Sequence, residues 1–372
     1  MKAWPLLGVF LIQVILLLAH WFVFHSWIVF WPGLSPVAQL ELRAALFVLA
    51  FSFVGAALLS FRFSNGVIAF TYRIASVWLG FLNFLFLGAC LSWVTWYTVL
   101  VLRDPPGPSL RSIIATAFFV LALLAGLFGL FNALWIRVRR IPIRLPHLPE
   151  SWRGRKAVLM SDLHLGSING IRFCRRIVAL AARLQPDVVF IPGDVFDGSK
   201  ADLDRLLSPF KDLAPPHGIF FSTGNHEEFH DPTDYIEAIT RAGIRVLAGE
   251  RVVLDGLHVL GITYGESTYP MRVRTTLEEL RPARESASIL LNHAPVRLPI
   301  VEEAGISLQL SGHTHGGQIF PYTWLTRRIF GRFTYGLHRF GALQVYTSTG
   351  IGTWGPPMRI GSAPEIVVFE FE

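Results

Sequence analysis

Cysteine is scarce in this chain of 372 residues, which contains only two. Cys90 lies inside an apolar run, Cys174 lies in a predicted helix, and the sequence has no CxxC pair. A disulfide framework or a thiolate metal site would need more cysteines at closer spacing. The sequence therefore indicates neither.

Charged residues are also few, at 16% of the chain against 52% hydrophobic residues, and this balance indicates that part of the chain lies in a bilayer. Acidic residues are nearly missing from residues 1–140, where Glu41 and Asp104 stand against nine Lys and Arg. Residues 141–372 carry 24 residues of each sign, so the net charge of +7 belongs to the first part. A neutral second part argues against a broad surface for DNA or RNA.

Four long apolar runs account for the hydrophobic excess, and each reaches the ~20 residues that a helix needs to cross the hydrocarbon core. A cleaved leader would explain at most the first run. We therefore predict an integral, multi-pass membrane protein whose transmembrane region, residues 1–140, contains four helices. The predicted helices cover residues 6–30, 42–61, 74–102 and 113–136.

Basic residues near the ends of the spans predict the orientation, because Lys and Arg are retained on the cytoplasmic side. One side collects Lys2, Arg62, Arg73, Arg137, Arg139, Arg140 and Arg144, and the other collects Arg43, Arg103 and Arg111. The C-terminal domain is therefore predicted to be cytoplasmic. Uncharged polar residues inside the spans, such as Gln13 and His20, can mark a pathway, but packing between helices is the favoured interpretation.

From residue 141 onward the pattern changes, and after a proline-rich connector at 141–149 short apolar strands alternate with amphipathic helices. This pattern predicts an α/β domain over residues 141–372. The predicted strands cover 157–160, 188–191, 219–222, 289–291 and 307–310, with further strands at 252–260, 342–347 and 365–371. The predicted helices cover 172–184, 201–213 and 232–242.

Polar side chains follow each of the first five strands, and strand ends are where open α/β sheets bind ligands. The five clusters contain Asp162 and His164, Asp194, Asn225 and His226, His293, and His313 and His315. Oxygen ligands mixed with imidazole suit Mn, Fe or Zn better than Ca. The clusters supply enough ligands for two metals about 4 Å apart, which would polarise a phosphoryl group and activate a hydroxide.

The order of these clusters resembles the calcineurin-like metallophosphoesterase superfamily, whose motifs are D-x-H, G-D-x-x-D, G-N-H-E/D, H and G-H-x-H. The matching segments are 162–164, 193–197, 224–227, His293 and 312–315. The flanking segments 316–318 and 352–357 resemble the membrane-associated or exported phosphodiesterases of that superfamily. The resemblance implies a layered α/β/β/α sandwich that follows the transmembrane region.

The resemblance also implies the roles of the site residues. Asp162, His164 and His315 would hold one divalent metal, Asn225, His293 and His313 would hold a second, and Asp194 would bridge the two. His226 would donate a proton or hydrogen bond to the leaving group, and the carboxylate of Asp197 would orient that histidine. Mn is the first expectation for both ions, with Fe, Zn or Mg as alternatives.

The expected activity is hydrolysis of a phosphodiester or pyrophosphate in a membrane-proximal or lipid-linked substrate, by attack of a metal-activated hydroxide. Gly198 stands where related Ser/Thr phosphatases have a phosphate-binding arginine, which makes a phosphoprotein substrate a weaker hypothesis. A phosphomonoesterase, a nuclease or a non-catalytic membrane sensor remain alternatives, because pocket walls rather than motifs define the substrate.

Two further segments leave alternatives open. Glu227 is interpreted either as part of the ligand shell or as a cap of the helix that begins near Pro232. Residues 319–340 combine aromatic residues with Arg327, Arg328, Arg332 and Arg339 and contain no acid. This segment is predicted to face the phospholipid bilayer and present a lipid-like substrate, or else to be a surface loop whose aromatic side chains pack on the domain.

Overall fold

A computed structural model describes residues 4–102, 108–229, 231–280 and 285–372 of the chain. Lys2 and Arg103, which contribute to the predicted orientation, lie outside the described residues. The chain divides into two compact units. The first contains Met1–Phe131 with Gly355–Met358, and the second contains Asn132–Trp354 with Arg359–Glu372.

The first unit is built from four helices, each long and apolar enough to cross a membrane. They are α1 (Trp4–Phe30), α2 (Pro36–Arg62), α3 (Gly66–Leu102) and α4 (Pro108–Leu134). Helix α2 begins six residues before the predicted run, because the Ser35 side chain accepts a hydrogen bond from Ala38 N–H at 3.2 Å and Pro36 occupies the first turn. Arg43 therefore lies within α2, with its guanidinium 5.2 Å from the ring centre of Phe24.

Polar side chains inside these helices bond between helices, as the packing interpretation predicts. The Nδ1 of His20 donates to the carbonyl of Leu16 at 2.7 Å, because a carbonyl can only accept, and Nε2 accepts from Trp78 Nε1 at 2.9 Å. Gln13 donates from α1 to the carbonyl of Ala50 in α2 at 3.0 Å. Such bonds satisfy polar groups that water cannot reach.

The second unit contains twelve strands and eight helices in the described residues, besides short 3-10 turns. The strands are β1 (Arg137–Ile143), β2 (Lys156–Leu159), β3 (Val188–Pro192), β4 (Ile219–Ser222), β5 (Arg245–Val246), β6 (Glu250–Leu254), β7 (Leu257–Gly261), β8 (Ser288–Leu291), β9 (Leu308–Ser311), β10 (Gly336–Phe340), β11 (Leu343–Thr347) and β12 (Glu365–Phe371). The helices are α5 (Ile171–Arg183), α6 (Leu203–Leu207), α7 (Asn225–Glu228), α8 (Thr233–Arg241), α9 (Tyr264–Thr268), α10 (Pro270–Leu280), α11 (Leu298–Glu303) and α12 (Tyr322–Phe330).

Two six-stranded sheets form the centre of the second unit. The first has the order β1-β12-β2-β3-β4-β5, and the second has the order β10-β11-β9-β8-β7-β6. Strands β2 to β5 run parallel, as do β7, β8, β9 and β11. Ligand-bearing segments after parallel neighbours therefore meet at one edge of each sheet.

Alternating side chains of the central strands supply three apolar layers. In β3, Val188 and Phe190 point into the layer between the two sheets, and Val189 and Ile191 point into the layer under α5. A third layer lies between the second sheet and the helices α10 and α11. The order helix, sheet, sheet, helix confirms the predicted sandwich.

The structure corrects the predicted connector at residues 141–149. Residues 141–143 belong to β1, which pairs in parallel with β12 from Arg137 opposite Glu365 to Ile143 opposite Phe371. The strand is rich in arginine and contains Pro142, so the apolar pattern of a buried strand is missing. It lies at the edge of its sheet, where proline is tolerated. The boundary placed at residue 140 thus falls inside a strand.

Two other predicted elements are divided in the structure. Residues 252–260 form the hairpin β6-β7, with Asp255 and Gly256 at positive φ of 45° and 88° in its two-residue turn. The helix predicted at 201–213 is a short α6 followed by a 3-10 turn from Ser208 to Asp212, because Pro209 lacks the N–H that would continue the α-helix.

Candidate metal centre

Each predicted metal ligand lies within five residues after the end of a strand, and Asn225 also starts a helix. Asp162 and His164 follow β2, Asp194 follows β3, Asn225 begins α7 after β4, His293 follows β8, and His313 and His315 follow β9. Five of these residues have the positive φ that non-glycine residues rarely adopt: Asp162, His164, Asp194, His313 and His315. Strain of this kind persists only where surrounding structure holds it, and it clusters at functional sites.

The first group of ligands combines Asp162, His164 and His315, whose ligand atoms all lie within 4.8 Å of one another. His315 Nε2 is 3.0 Å from His164 Nε2 and 3.5 Å from an oxygen of Asp162. Burial lowers the pKa of both histidines well below the usual value, so both rings are neutral and offer lone pairs. Two such nitrogens facing one carboxylate fit a divalent cation.

The second group combines Asp194, His293 and His313, again within 4.8 Å. The amide oxygen of Asn225 lies 2.8 Å from His313 Nδ1 and 3.1 Å from His293 Nε2, so it faces the same point. His293 Nδ1 donates to the carbonyl of Pro192 at 2.7 Å, which leaves Nε2 to bind a metal when the ring is neutral. The set of oxygen and imidazole donors fits a second cation.

Asp194 lies between the two groups. One carboxylate oxygen is 3.1 Å from His293 Nε2 and 3.8 Å from His164 Nε2, and the other accepts from the N–H of His226 at 2.9 Å. Burial opposes ionisation, but the surrounding imidazoles of His293, His226 and His164 outweigh it and lower the pKa of Asp194. Asp194 therefore carries a negative charge at the position expected of a bridging ligand.

Glycine residues in the motifs make room for these carboxylates. A Cβ on Gly224 would lie 2.1 Å from an oxygen of Asp194, and one on Gly312 would lie 2.1 Å from an oxygen of Asp162. Neither backbone could carry a side chain without displacing a ligand. Close approach therefore explains why glycine precedes Asn225 and His313.

His226 is buried and positioned by the segment that contains Asp197, but not in the predicted way. Its Nδ1 lies 3.1 Å from the main-chain carbonyl of Asp197 and donates to it. The carboxylate of Asp197 instead accepts from the N–H and hydroxyl of Ser199 and from the N–H of Ser167. Gly166 allows this, because a Cβ there would meet the carboxylate at 2.0 Å. Asp197 thus fixes the loop, and its carbonyl orients His226.

Glu227 caps a helix, but that helix is α7, to which it belongs, rather than the helix that begins near Pro232. Its buried carboxylate accepts three main-chain N–H groups, from Asp194 at 3.0 Å, Phe196 at 3.0 Å and Gly224 at 2.8 Å. It therefore joins the loop after β3 to the loop after β4 and contacts no metal ligand atom through its side chain. A carboxylate directly after the Asn225-His226 pair was the only available signal.

Arg359 was missed in the sequence, although it is fully buried behind a metal ligand. Its guanidinium donates to the carbonyl of His315 at 2.9 Å and lies 3.2 Å from His315 Nδ1. It also donates to the carbonyl of Gly352. Burial lowers its pKa to about 10, so it stays charged at neutral pH. A lone arginine in a run rich in glycine and proline could have indicated it.

Aromatic side chains lie next to two histidines of the centre, His226 and His313. The rings of Phe229 and Trp354 lie 4.6 and 5.5 Å from the ring of His226, and both are about half exposed, at 54% and 52%. Tyr264 lies 5.8 Å from His313, and Phe330 lies 6.1 Å from it. Glu228 holds the loop of Tyr264 by accepting from its N–H at 3.0 Å. Aromatic rings therefore contact both His226 and His313.

Comparisons with known proteins show what this chain is similar to. A family profile described as Calcineurin-like phosphoesterase matches residues 155–317. An uncharacterized metallophosphoesterase of Aquifex aeolicus is 30% identical over 67% of this chain and 96% of its own length. A Danio rerio transmembrane protein with metallophosphoesterase domain is 35% identical over 67% of this chain and 60% of its own length. A crystal structure of a dimetal phosphatase from Danio rerio has a TM-score of 0.39 and 11% identity, over 54% of this chain and 88% of that chain.

Proposed function

This chain belongs to the calcineurin-like metallophosphoesterase family, and from that premise we propose that it hydrolyses a phosphodiester or pyrophosphate bond in a lipid-linked substrate. Family membership makes it a metal-dependent phosphoester hydrolase, and its apolar helices make it a membrane protein. The observation that carries the proposal is the pair of ligand groups on either side of Asp194, with His226 beside them.

The ligand groups are proposed to hold two divalent cations. Asp162, His164 and His315 would hold one, and Asn225, His293 and His313 would hold the other, with Asp194 shared. Two divalent cations bound there would polarise the phosphoryl group and lower the pKa of water. Mn²⁺ is the proposed native ion, since the donors are oxygens and imidazoles without thiolate.

The chain's own residues are proposed to position the leaving group. His226 Nδ1 is occupied by the carbonyl of Asp197, so Nε2 is the ring nitrogen that remains for the leaving group. A proton or hydrogen bond from that nitrogen would stabilise the departing oxygen. Phe229 and Trp354 lie beside the same ring, which supports a leaving group with an apolar portion.

A diester is favoured over a monoester by the charge around the site. A phosphate monoester carries more negative charge than a diester, and arginine is a favoured partner for phosphate charge. Gly198 provides no such group, and the guanidinium of Arg359 is fully buried and bonded to the carbonyl of His315. Among the residues that the structure describes, no guanidinium shares a close contact with Asn225 or His226.

Hydrolysis of model esters by the purified full-length protein tests this function. The protein would be treated with chelator, its metal content measured, and Mn, Mg, Zn or Fe added back with matched monoesters, diesters and pyrophosphate diesters. We expect activity to return with metal, highest with Mn, and to favour the diesters. Full activity at no measurable metal would contradict the mechanism, and a preference for monoesters would contradict the substrate class.

A further inference from the structure

Helix α12 exposes an apolar face that the second unit does not cover. No residue of this helix is buried. Tyr322, Leu325 and Ile329 lie on one side by their spacing of three and four residues, and all three are exposed, with Ile329 at 66%. Trp324 adds a further large ring at 59% exposure. An exposed apolar patch of this kind marks a contact with a membrane or a partner.

The helix is nevertheless fixed to the metal centre. Gly317 packs so closely on it that a Cβ would lie 2.3 Å from the Cα of Thr323. The hydroxyl of Thr314, between His313 and His315, donates to the carbonyl of Thr334 at 2.7 Å. Thr334 in turn donates to the carbonyl of Gly331 at 2.8 Å, directly after α12. These contacts fix α12, and with it the apolar face, to the segment that carries His313 and His315.

The charge of this segment identifies the surface that would cover it. Residues 319–340 contain four arginines and no acid. Among the described residues, no ion pair involves Arg327 or Arg328, and the guanidinium of Arg328 lies 4.7 Å from the ring centre of Trp324. Aromatic residues beside unneutralised arginines fit the headgroup region of an anionic bilayer.

The chain itself keeps this domain near a bilayer. Only two residues separate the end of α4 at Leu134 from the start of β1 at Arg137, a span of about 10 Å. The first of them, Trp135, is exposed, and the guanidinium of Arg137 lies 5.0 Å from its ring. This pairing is typical of side chains at a membrane interface.

We propose that α12 lies on the anionic surface of the membrane that holds α1–α4, with Tyr322, Trp324, Leu325 and Ile329 inserted and Arg327 and Arg328 on phosphate groups. Two aromatic side chains of the segment 319–340 do not take part. Phe333 packs against the core beside α10 and α11, and Tyr335 donates to Glu365 at 3.1 Å. Phe330 is half-buried beside His313, so docking would place the metal centre at the lipid surface.

A fluorescent label on Ile329→Cys tests this position without any measurement of turnover. The full-length protein is placed in nanodiscs, one copy per disc, and quenched by a lipid-bound nitroxide or by aqueous iodide. Val253→Cys is the control, because it is 53% exposed on β6, at the opposite edge of the sheet from β10. The unsubstituted chain gives the background from Cys90 and Cys174.

We expect the nitroxide to quench the label at 329 several times more strongly than the label at 253, and iodide to show the reverse order. Equal iodide quenching at both positions would overturn the proposal. Protection at 329 that appears only with two copies per disc would also overturn it, in favour of contact between two chains.

The role of charge is tested by the double substitution Arg327→Gln and Arg328→Gln in discs with and without anionic lipid. The original chain should show stronger nitroxide quenching at 329 in anionic discs, and the substituted chain should lose that difference. The control, Arg172→Gln with Arg175→Gln on α5, makes the same charge change at exposed positions. It should keep the difference in quenching between anionic and neutral discs. Retention of the difference by the α12 variant would contradict the contact with phosphate.

The rate of hydrolysis of a lipid diester is a second measurement, and it rests on the proposed function. The α12 variant should hydrolyse a lipid diester in discs more slowly than the α5 variant, while both hydrolyse a small soluble diester at the same rate. Equal rates on the lipid diester would contradict delivery of substrate by α12. If neither ester is hydrolysed, the proposed function fails, and the quenching result still decides where α12 lies.

Discussion

At the scale of single residues, Asp194 has the most demanding position, because one carboxylate faces ligands from both groups. We predict that Asp194→Asn lowers bound metal by at least one equivalent and lowers kcat by more than about 100-fold, since the amide removes a charge that would attract both cations. Metal analysis and kinetics on the same preparation measure the two effects. Asp204→Asn changes an exposed aspartate that pairs with Arg241 and should affect neither. Unchanged metal content in Asp194→Asn would contradict the bridging role.

Substitution of His226 should lower kcat without the loss of bound metal that substitution of Asp194 causes. We predict that His226→Ala keeps its metal and loses about 10²- to 10⁴-fold in kcat, because the ring acts on the leaving group. The loss should be largest for alkyl esters, whose leaving groups need a proton, and smallest for nitrophenyl esters. A series of diesters with leaving groups of different pKa measures this dependence. An equal loss over the whole series would show that His226 acts elsewhere.

The sequence could predict which residues form the site, but it could not predict all of their contacts. The motif order named seven side chains that the structure brings into two groups, because short motifs specify which residues occupy strand ends. The partners of Asp197, Glu227 and Arg359 could not be predicted. Their bonds depend on how the loops after three different strands are placed, and this placement is a tertiary property that no local pattern contains.

At the scale of elements, the loop after β3 depends on a carboxylate that belongs to α7. We predict that Glu227→Gln lowers the free energy of unfolding by about 2–4 kcal/mol, because the amide places N–H groups against the N–H donors of Asp194, Phe196 and Gly224. Metal affinity should fall about 10- to 100-fold as the loop of Asp194 loosens. Thermal melting and metal titration measure both changes. Glu237→Gln is the control, because Glu237 is exposed on α8. A normal metal affinity in Glu227→Gln would show that the loop holds its shape without this carboxylate.

Buried strands could be predicted well, and edge elements could not. The run at residues 219–222 coincides with β4, because every side chain in that strand is buried and the pattern is continuously apolar. Strand β1 and helix α12 are largely exposed and mix arginine with apolar residues. Periodicity alone therefore predicted a connector where β1 ends and no helix where α12 lies. The Asp255-Gly256 pair is a two-residue hairpin signal that would have divided the run at 252–260.

At the scale of the whole molecule, the four apolar runs predicted helices of membrane-spanning length because twenty or more apolar residues admit few other structures. The exact ends depend on local caps such as Ser35, and these moved α2 by six residues. The side of the membrane depends on a different property, the distribution of basic residues outside the spans.

The last prediction concerns that side. A reporter fused after residue 140 should behave as cytoplasmic, because Arg137, Arg139 and Arg140 follow α4 directly and resist translocation during insertion. In the folded domain Arg139 pairs with Glu365 and Arg140 with Glu370, but those partners are synthesised later and cannot offset the charge when α4 inserts.

A fusion after Gly33, between α1 and α2, should report the opposite side, and a fusion after Gly66 should report the same side as residue 140. Arg137→Gln, Arg139→Gln and Arg140→Gln together should increase the fraction of wrongly oriented chains if these residues set the orientation. A non-cytoplasmic signal from the fusion at 140 would overturn the assignment. The metal centre and α12 would then lie on the other side of the membrane, because both belong to the domain that begins at that point. Helix α12 would contact the other lipid leaflet, while the roles of Asp194 and His226 would stay the same.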